Sequence, residues 1–528
     1  MSKPVYFRAW ITHWDWGVRI ALFLILASSL MQFGLFALTQ NYMISYLGAQ
    51  PEDISFAFLI TYGGITAILP VQFRFLRYFE TRDYLLANIL LGILLNLACL
   101  RCRNIDLFIA LRVLQGILIG NINIAVLILI LSRLDTHRAR TEAPAVFYGT
   151  LLANTTLIGV VAASVVDSTD WKATYYYVIG FQLVTLALIL LMLRPKAGHR
   201  RYPLFQLDWA GFIIYSVAAW SLGYTVIYGG KYYWFGDPRI RLSAATAAIG
   251  TCLFLYRQKI VRRPSIHLGV FKSPGFVTGL CLLVIYYGSK DSIGLIYTYA
   301  GGALKWRAIQ VVSLAVCNLA AMVGFLIVTT KMILAHKGWI NIFLILGFAA
   351  MGVFNIWMAC LLTPDLSFMD LLFPVLLQGA ASGILFVPII LFILSHAPAN
   401  TGFTGLILAA YTRFIATINS VAGFYSLQLY WNQKYKEGFL AALTTENPNT
   451  VERLGVWRSV YAAKGFPAEQ AAALANAALS QSITQQTQLL TNRTIYMLFG
   501  VAMLAISGLI FIGKIIQSWK VQSLQNLS

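Results

Sequence analysis

The stretch LRVLQGILIGNI, at residues 111–122, has a counterpart in FPVLLQGAASGIL at residues 373–385. Both contain Leu-Gln-Gly followed by a second glycine four positions after the first. Small residues at this spacing lie on one face of a helix, where they let another helix approach closely. The repetition predicts a chain of two related halves, each with one such helix. The residues of the repeat are Gln115, Gly116 and Gly120, then Gln378, Gly379 and Gly383.

The composition is that of a polytopic membrane protein. Of 528 residues, 59% are hydrophobic and 11% charged, whereas about 25% are charged in soluble globular proteins. A helix needs ~20 apolar residues to cross a bilayer. Apolar runs of about this length predict an all-α protein with 14 transmembrane helices. Their approximate limits are 18–40, 53–73, 84–100, 105–132, 143–166, 173–193, 209–230, 240–256, 274–300, 308–330, 339–362, 368–394, 402–430 and 493–516.

The order of these runs predicts how the two halves are arranged. We expect six spans, an inserted pair of spans, and six more. The corresponding segments are 1–17 (N-terminus), 18–194 (first six-helix bundle), 195–272 (inserted spans 7 and 8 with basic linkers) and 273–528 (second six-helix bundle, with a long loop at 431–492).

The basic residues predict the orientation of the chain in the membrane. The formal net charge is +20, but the lysines and arginines lie in short clusters between apolar runs and form no nucleic-acid-binding stripe. Most fall in segments that are cytoplasmic if the N-terminus is inside, including RPKAGHRR (194–201) and YRQKIVRRP (256–264). Short cytoplasmic loops retain such residues. We therefore expect both termini to be cytoplasmic.

Predicted span 9 contains a lysine beside an aspartate, in GFVTGLCLLVIYYGSKDSIGLIYTYAGG (275–302). Asp291 is the one carboxylate deep in the predicted membrane region, and each such charge costs about 2.5–3.5 kcal/mol at the centre of a membrane helix. Residues 290 and 291 are ~100° apart around a helix, so each needs a partner elsewhere. The helical pattern places Tyr286, Lys290 and Tyr297 on one stripe and Tyr287, Asp291 and Thr298 on the next.

Two interpretations of this pair remain open. Asp291 could carry a proton during transport, with Lys290 as a counter-ion or as an attachment point for an anionic substrate. Alternatively, Asp291 could form a static buried ion pair, for example with Arg413 of predicted span 13, that fixes the register of the helices.

Several stretches resemble one transporter family. RVLQGILIG is similar to the span-4 motif of the major facilitator superfamily, and the chain resembles its fourteen-span drug:proton antiporter branch, the multidrug-resistance B type of exporter. Further similar stretches are LDWAGFIIYSVAAWSLGYTVIYGGKYYWF (207–235), RPSIHLGVFKSPGF (263–276), LLQGAASGILFVPIILFILSHAP (376–398), YTRFIATINSVAG (411–423) and SITQQTQLLTNRTIYMLFG (482–500). The resemblance implies the major facilitator fold and multidrug efflux by antiport.

The resemblance also suggests site residues. It implies that span 9 lines a central cavity, with Tyr286, Tyr287 and Tyr297, together with Gln40 and Asn41 from span 1. Where the family often has a span-1 aspartate, this chain has Gln40 and Asn41, and predicted span 5 lacks the usual glycine-proline signature. Arg112 and Arg413 match family arginines. Arg112 could take part in proton coupling, or could satisfy backbone carbonyls and Gln32 or Asn41.

The long loop at 431–492 has two interpretations. Pro467 can begin an alanine-rich helix, and the loop could be a helical cover over the cavity mouth. The resemblance adds that such proteins often pass substrates to a periplasmic adaptor and an outer-membrane duct.

Together these features predict a secondary active transporter of a bacterial inner membrane. We expect proton-coupled export of a hydrophobic or amphipathic small molecule by alternating access, with no cofactor and no metal. The histidines lie in predicted cytoplasmic segments and no catalytic constellation is present, so an enzyme is not expected. The alternative is a membrane receptor or scaffold that does not transport.

Overall fold

The fold consists of long apolar helices that pack against one another. The computed structural model describes residues 6–76, 78–133, 172–196, 204, 207–262, 264–302, 304–336, 338–398, 404–418, 420, 423–444 and 447–525. Within this part of the chain, eleven helical stretches are long and apolar enough to span a bilayer. Predicted span 5, at 143–166, lies outside the described residues.

The first half of the chain contains the helices before residue 200, and the inserted pair follows. In chain order they are α1 (Ala9–Thr12), α2 (Asp15–Leu47), α3 (Pro51–Phe75), α4 (Thr81–Arg101), α5 (Ile105–Arg133), α6 (Ala173–Met192), α7 (Trp209–Tyr228) and α8 (Pro238–Ile260).

The second half contains the remaining helices. They are α9 (Pro274–Lys290), α10 (Ile293–Gly302), α11 (Ala308–Ala335), α12 (Trp339–Leu361), α13 (Phe368–His396), α14 (Thr404–Ile418), α15 (Phe424–Ala442), α16 (Pro448–Ala463) and α17 (Ala468–Gln525). The helices at predicted spans 8 and 13, α8 and α14, are not among the eleven stretches that meet the length and hydropathy of a span.

Buried apolar side chains form one large cluster in each half. One cluster contains residues between 7 and 193, and the other contains residues between 254 and 503. Close van der Waals packing at such helix contacts holds each set of helices together, because lipid tails are as apolar as the side chains and burial alone gives little driving force.

The repeated glycines lie where two helix pairs approach most closely. A Cβ atom added at Gly116 would overlap the backbone carbonyl of Thr61 on α3, and one added at Gly379 would overlap the carbonyl of Asn318 on α11. The second glycines of the repeat, Gly120 and Gly383, face the same two partner helices one turn later. The two halves thus contain equivalent packings, α5 on α3 and α13 on α11.

The inserted helix α7 lies along the contact between the two halves. It packs on α3, where the indole of Trp220 faces Gly63. It also contacts α14, because the rings of Tyr215 and Tyr411 stack with centroids 4.1 Å apart. Since α14 packs on α3 as well, helices from the first half, the insertion and the second half meet along one seam.

One end of the inserted pair is held by a buried carboxylate. Asp208 caps α7, where its Oδ1 accepts a 2.9 Å hydrogen bond from the backbone nitrogen of Gly211. The same carboxylate forms a 2.7 Å ion pair with Arg257 of α8 and accepts a hydrogen bond from Gln258. This clamp joins α7 to α8 near the basic cluster of residues 256–264.

The segment at 431–492, for which a long loop with a helix after Pro467 was expected, is largely helical in its described part. The predicted alanine-rich helix begins directly after Pro467 and continues without a break to Gln525, a run of 58 residues. At 1.5 Å per residue this helix is ~87 Å long, about three times the thickness of a bilayer core. Because α15 and α16 pack on α17, the three helices form one unit, here called the projection, which includes the polar N-terminal part of α17.

Candidate functional site

Predicted span 9 is interrupted at its charged pair. Helix α9 ends at Lys290 and α10 begins at Ile293. The backbone turns tightly between them, because the nitrogen of Ser292 donates to the carbonyl of Ser289 and that of Gly294 donates to the carbonyl of Asp291. The expectation that one helical stripe runs from Lys290 to Tyr297 is therefore wrong, since the phase of the helix changes at the break.

Two side chains from other helices complete the hydrogen bonds of the break. The amide of Gln378 donates a 2.9 Å hydrogen bond to the carbonyl oxygen of Lys290. The hydroxyl of Tyr496 donates a 2.7 Å bond to the carbonyl oxygen of Ser292. Within a membrane, backbone groups that leave a helix must find internal partners. The glutamine of the repeated Leu-Gln-Gly thus supports the interruption of a neighbouring helix.

The break explains why a lysine and an aspartate stand side by side. Lys290 is the last residue of α9, where the helix dipole presents partial negative charge, and Asp291 precedes α10, where it presents partial positive charge. Each charge therefore lies at the helix end of opposite sign. Both residues are half-buried.

The Asp291 carboxylate is bound by a residue of the segment between α14 and α15. The hydroxyl of Ser420 donates a 2.6 Å hydrogen bond to Oδ2 of Asp291. Sequence reasoning proposed Arg413 as the partner from this region and did not find Ser420. A single serine within a predicted span is too common in sequences to indicate such a contact.

Aromatic rings surround the nearby cations. The guanidinium of Arg413 lies 5.0 Å from the ring centroid of Tyr287 and 5.7 Å from that of Tyr62. The ammonium of Lys290 lies 5.9 Å from the same Tyr287 ring. Because Tyr62 belongs to α3 and Tyr287 to α9, Arg413 joins the two halves of the protein beside Asp291.

The tyrosines expected in a cavity have different environments. Tyr286 is fully buried, and its hydroxyl donates a 3.2 Å hydrogen bond to the carbonyl of Ser382 on α13. It packs in the buried core of the second half. Tyr297 is half-buried against the same core. Gln40 and Asn41 lie in α2, but their side chains are outside the described part of the structure.

Arg112 belongs to a separate buried network in the first half. Its Nη1 donates to the carbonyl of Gln32 at 3.2 Å and to Oε1 of Gln115 at 2.6 Å, and its guanidinium lies 4.1 Å from the ring centroid of Phe36. The amide of Gln115 donates in turn to Asn96. Among the described residues, no carboxylate forms an ion pair with Arg112. Arg112 thus donates a hydrogen bond to the backbone carbonyl of Gln32, as expected for a structural role. Its other expected role, in proton coupling, stays a prediction.

One feature of the sequence indicates the break between α9 and α10 but was not used to predict it. Gly288, Ser289, Ser292 and Gly294 flank the charged pair, and glycine and serine are weak helix formers. Their clustering around Lys290 and Asp291 indicates an interrupted helix more directly than the charges do.

Comparison with known proteins identifies a family and a set of relatives. The family described as Major Facilitator Superfamily matches residues 21–424. Multidrug export protein EmrB of Escherichia coli (strain K12) is 22% identical over 428 residues, covering 79% of this chain and 79% of that protein. Probable multidrug resistance protein EmrY of the same strain is 21% identical over 398 residues, covering 73% and 74%.

Solved structures of transporters share the fold. The peptide transporter POT in complex with sulfate superposes with a TM-score of 0.57 at 13% identity, covering 94% of each chain. The xylose transporter XylE from E. coli, in a partially occluded inward-open conformation, superposes with a TM-score of 0.51 at 11% identity, covering 78% of this chain and 90% of that one. The arrangement of helices is thus one found in membrane transporters, and the expected helical membrane fold is confirmed.

Proposed function

The chain belongs to the major facilitator superfamily, and from this premise we propose that it is a proton-coupled exporter in which Asp291 carries the proton. Membership makes it a multi-pass membrane transporter and not an enzyme. The observation that carries the proposal is the position of Asp291, between two half-helices and hydrogen-bonded to Ser420. Transporter sites are commonly built at such interrupted helices.

The proposed architecture has two six-helix bundles that rock around a midplane site, with an inserted helix pair and fourteen spans in all. The matched glycine packings of α5 on α3 and α13 on α11 support the two related halves. The seam of α3, α7 and α14 would be a place where the bundles meet and rearrange.

Protonation of Asp291 would change the contacts that join the halves. As a carboxylate, Asp291 accepts a hydrogen bond from Ser420 and attracts the nearby cations of Lys290 and Arg413. As a neutral acid it loses that attraction. Arg413 also contacts Tyr62 of the first half and Tyr287 of the second, so a change in its position is transmitted to the contact between the halves.

A hydrophobic or amphipathic small molecule is the proposed substrate. The names of EmrB and EmrY describe multidrug export and multidrug resistance, which supports a substrate of this class. We place the protein in a bacterial inner membrane with both termini cytoplasmic. The projection of α15–α17 would then lie outside, where it could contact a periplasmic adaptor that leads to an outer-membrane duct.

A flux measurement separates this proposal from a receptor that does not transport. The full chain is reconstituted in liposomes and given a panel of drugs, lipids and hydrophobic metabolites, with and without an imposed pH gradient. The proposal predicts that at least one compound is moved against its concentration gradient only when the pH gradient is present. Saturable binding of a compound without any flux would favour the receptor.

A further inference from the structure

A cavity of about 470 Å³ lies between the outer end of α10, helix α15 and helix α17. Its volume falls in the range of about 300–1,000 Å³ that is usual for small-molecule sites. Thr298, Gly302, Tyr425 and Gln488 in its wall are exposed, so the cavity opens to the surface. It is formed partly by the projecting helices and does not include the Asp291 site.

All the polar side chains that line this cavity are uncharged. Apart from the two tyrosines, four carry carboxamides and two carry aliphatic hydroxyls, and no Asp, Glu, Lys, Arg or His is among the described lining residues. The six are Thr298, Gln428, Asn432, Gln488, Thr491 and Asn492.

The floor of the cavity is formed by buried polar side chains. The amide of Gln428 on α15 donates a 3.2 Å hydrogen bond to Oδ1 of Asn492 on α17, where Asn492 is 5% exposed. Beside it, Thr491 is 2% exposed and its hydroxyl has no hydrogen-bond partner in the described part of the chain. By contrast, the hydroxyl of Thr494 donates to the carbonyl of Leu490 in the same helix. A buried hydroxyl without a partner is costly, so that of Thr491 would gain from a hydrogen bond to a ligand in the cavity that this residue lines.

From this lining we propose that the cavity binds a neutral polyhydroxylated ligand, such as a sugar ring. Carboxamides and hydroxyls both donate and accept hydrogen bonds, and so does every hydroxyl of a sugar. An ionic ligand would find no opposite charge to offset its desolvation, and an apolar ligand would leave the polar wall unpaired. The ring of Tyr425, which is exposed in the wall, offers apolar surface to the C–H face of a sugar.

Neighbouring threonines on α17 provide a matched test. Thr487 and Thr491 lie one turn apart, both are buried, and neither hydroxyl has a described partner, but only Thr491 lines the cavity. Thr→Val keeps the shape of the side chain and removes the hydroxyl. A second variant, Asn432→Ala, removes a carboxamide from the cavity wall. Asn432 is half-buried, so this change does not alter the buried packing of the helices.

The test is an equilibrium binding measurement on the full chain in lipid nanodiscs, without a proton gradient, by saturation-transfer NMR. The probes are methyl α-D-glucopyranoside and sucrose, with glucuronate as a charged analogue and N-acetylalanine methylamide as an amide. We expect millimolar binding of the neutral sugars, weakened about fivefold by Thr491→Val and by Asn432→Ala because each removes a hydrogen bond. Thr487→Val should leave binding unchanged.

Three results would overturn the assignment. They are no saturable binding of either sugar, equal binding of glucuronate, or binding of the amide without the sugars. Equal loss in Thr487→Val and Thr491→Val would also contradict it, because the effect would then come from the helix and not the cavity. The outcome is independent of proton coupling, since the measurement requires neither Asp291 nor transport.

Discussion

The side-chain amide of Gln378 donates a 2.9 Å hydrogen bond to the backbone carbonyl of Lys290, so the repeated Leu-Gln-Gly of α13 supports the interruption of its neighbour. Gln378 itself accepts a 2.6 Å bond from the amide of Asn318 on α11. One glutamine thereby fixes the positions of three helices. This contact leaves Lys290 and Asp291 at two helix ends of opposite polarity.

Replacing Gln378 should weaken the break in α9. Gln378→Leu removes the donor to Lys290 and leaves a buried carbonyl without its partner, which we expect to cost about 1–3 kcal/mol of folding free energy. Thermal unfolding of the purified protein measures the change. The matched control is Gln433→Leu, because Gln433 is exposed and, among the described residues, its side chain bonds to Glu437 on its own helix. Equal stability of the two variants would show that Gln378 does not support the break.

The repeated glycines should tolerate no side chain. Gly116→Ala and Gly379→Ala each place a methyl group against a backbone carbonyl of the adjacent helix, so both should lower the unfolding temperature or the yield of folded protein. Gly180→Ala and Gly324→Ala are controls, since nothing lies within 4 Å of the added carbon. A helical Gly→Ala change without a clash normally stabilises, by about 0.4–1 kcal/mol. If all four variants behaved alike, close helix approach would not be the role of the repeat.

The ring of Tyr62 should contribute to the contact between the halves. Tyr62→Leu removes a ring that lies 5.7 Å from the Arg413 guanidinium, with an expected loss of about 0.5–2 kcal/mol. Tyr62→Phe keeps the ring and should restore most of that loss. A double-mutant cycle with Arg413→Gln measures the coupling between the two residues by thermal unfolding. A coupling energy of zero would mean that this contact does not join the halves.

The two sides of the membrane can be distinguished by labelling of single cysteines. His267→Cys lies in a predicted cytoplasmic linker and Trp457→Cys lies on the projecting helix α16, both in a chain whose native cysteines are replaced. An impermeant maleimide added outside intact cells should label position 457 only. Labelling of both positions from the same side would contradict the proposed topology.

Hydropathy and the glycine repeat were sufficient to predict a helical membrane protein with related halves. These signals are local, because a run of ~20 apolar residues predicts a membrane span without any knowledge of which other helices it contacts. The same local reasoning treated α9 and α10 as one helix, because hydropathy averages over the residues at which the backbone turns. It predicted the helix after Pro467 in the long loop at 431–492 but not helix α16, because a short polar helix has no apolar run.

The candidate site was only partly predictable. The energetic cost of a buried charge identified Lys290 and Asp291 correctly as unusual. The contacts made by Ser420, Gln378 and Tyr496 were not predictable, because they depend on which helices pack together. A helical stripe shows which residues share a face, but not whether that face meets a cavity or another helix.

The central claim, that Asp291 carries the coupling proton, is tested most directly by efflux under an imposed pH gradient in proteoliposomes. Asp291→Asn cannot be ionised but keeps the size of the side chain, so we expect it to bind and exchange a transported compound while losing accumulation against its gradient. Asp365→Asn, at an exposed aspartate, should behave like the parent. A monodisperse Asp291→Asn protein that still concentrates the compound in response to the pH gradient would contradict the account.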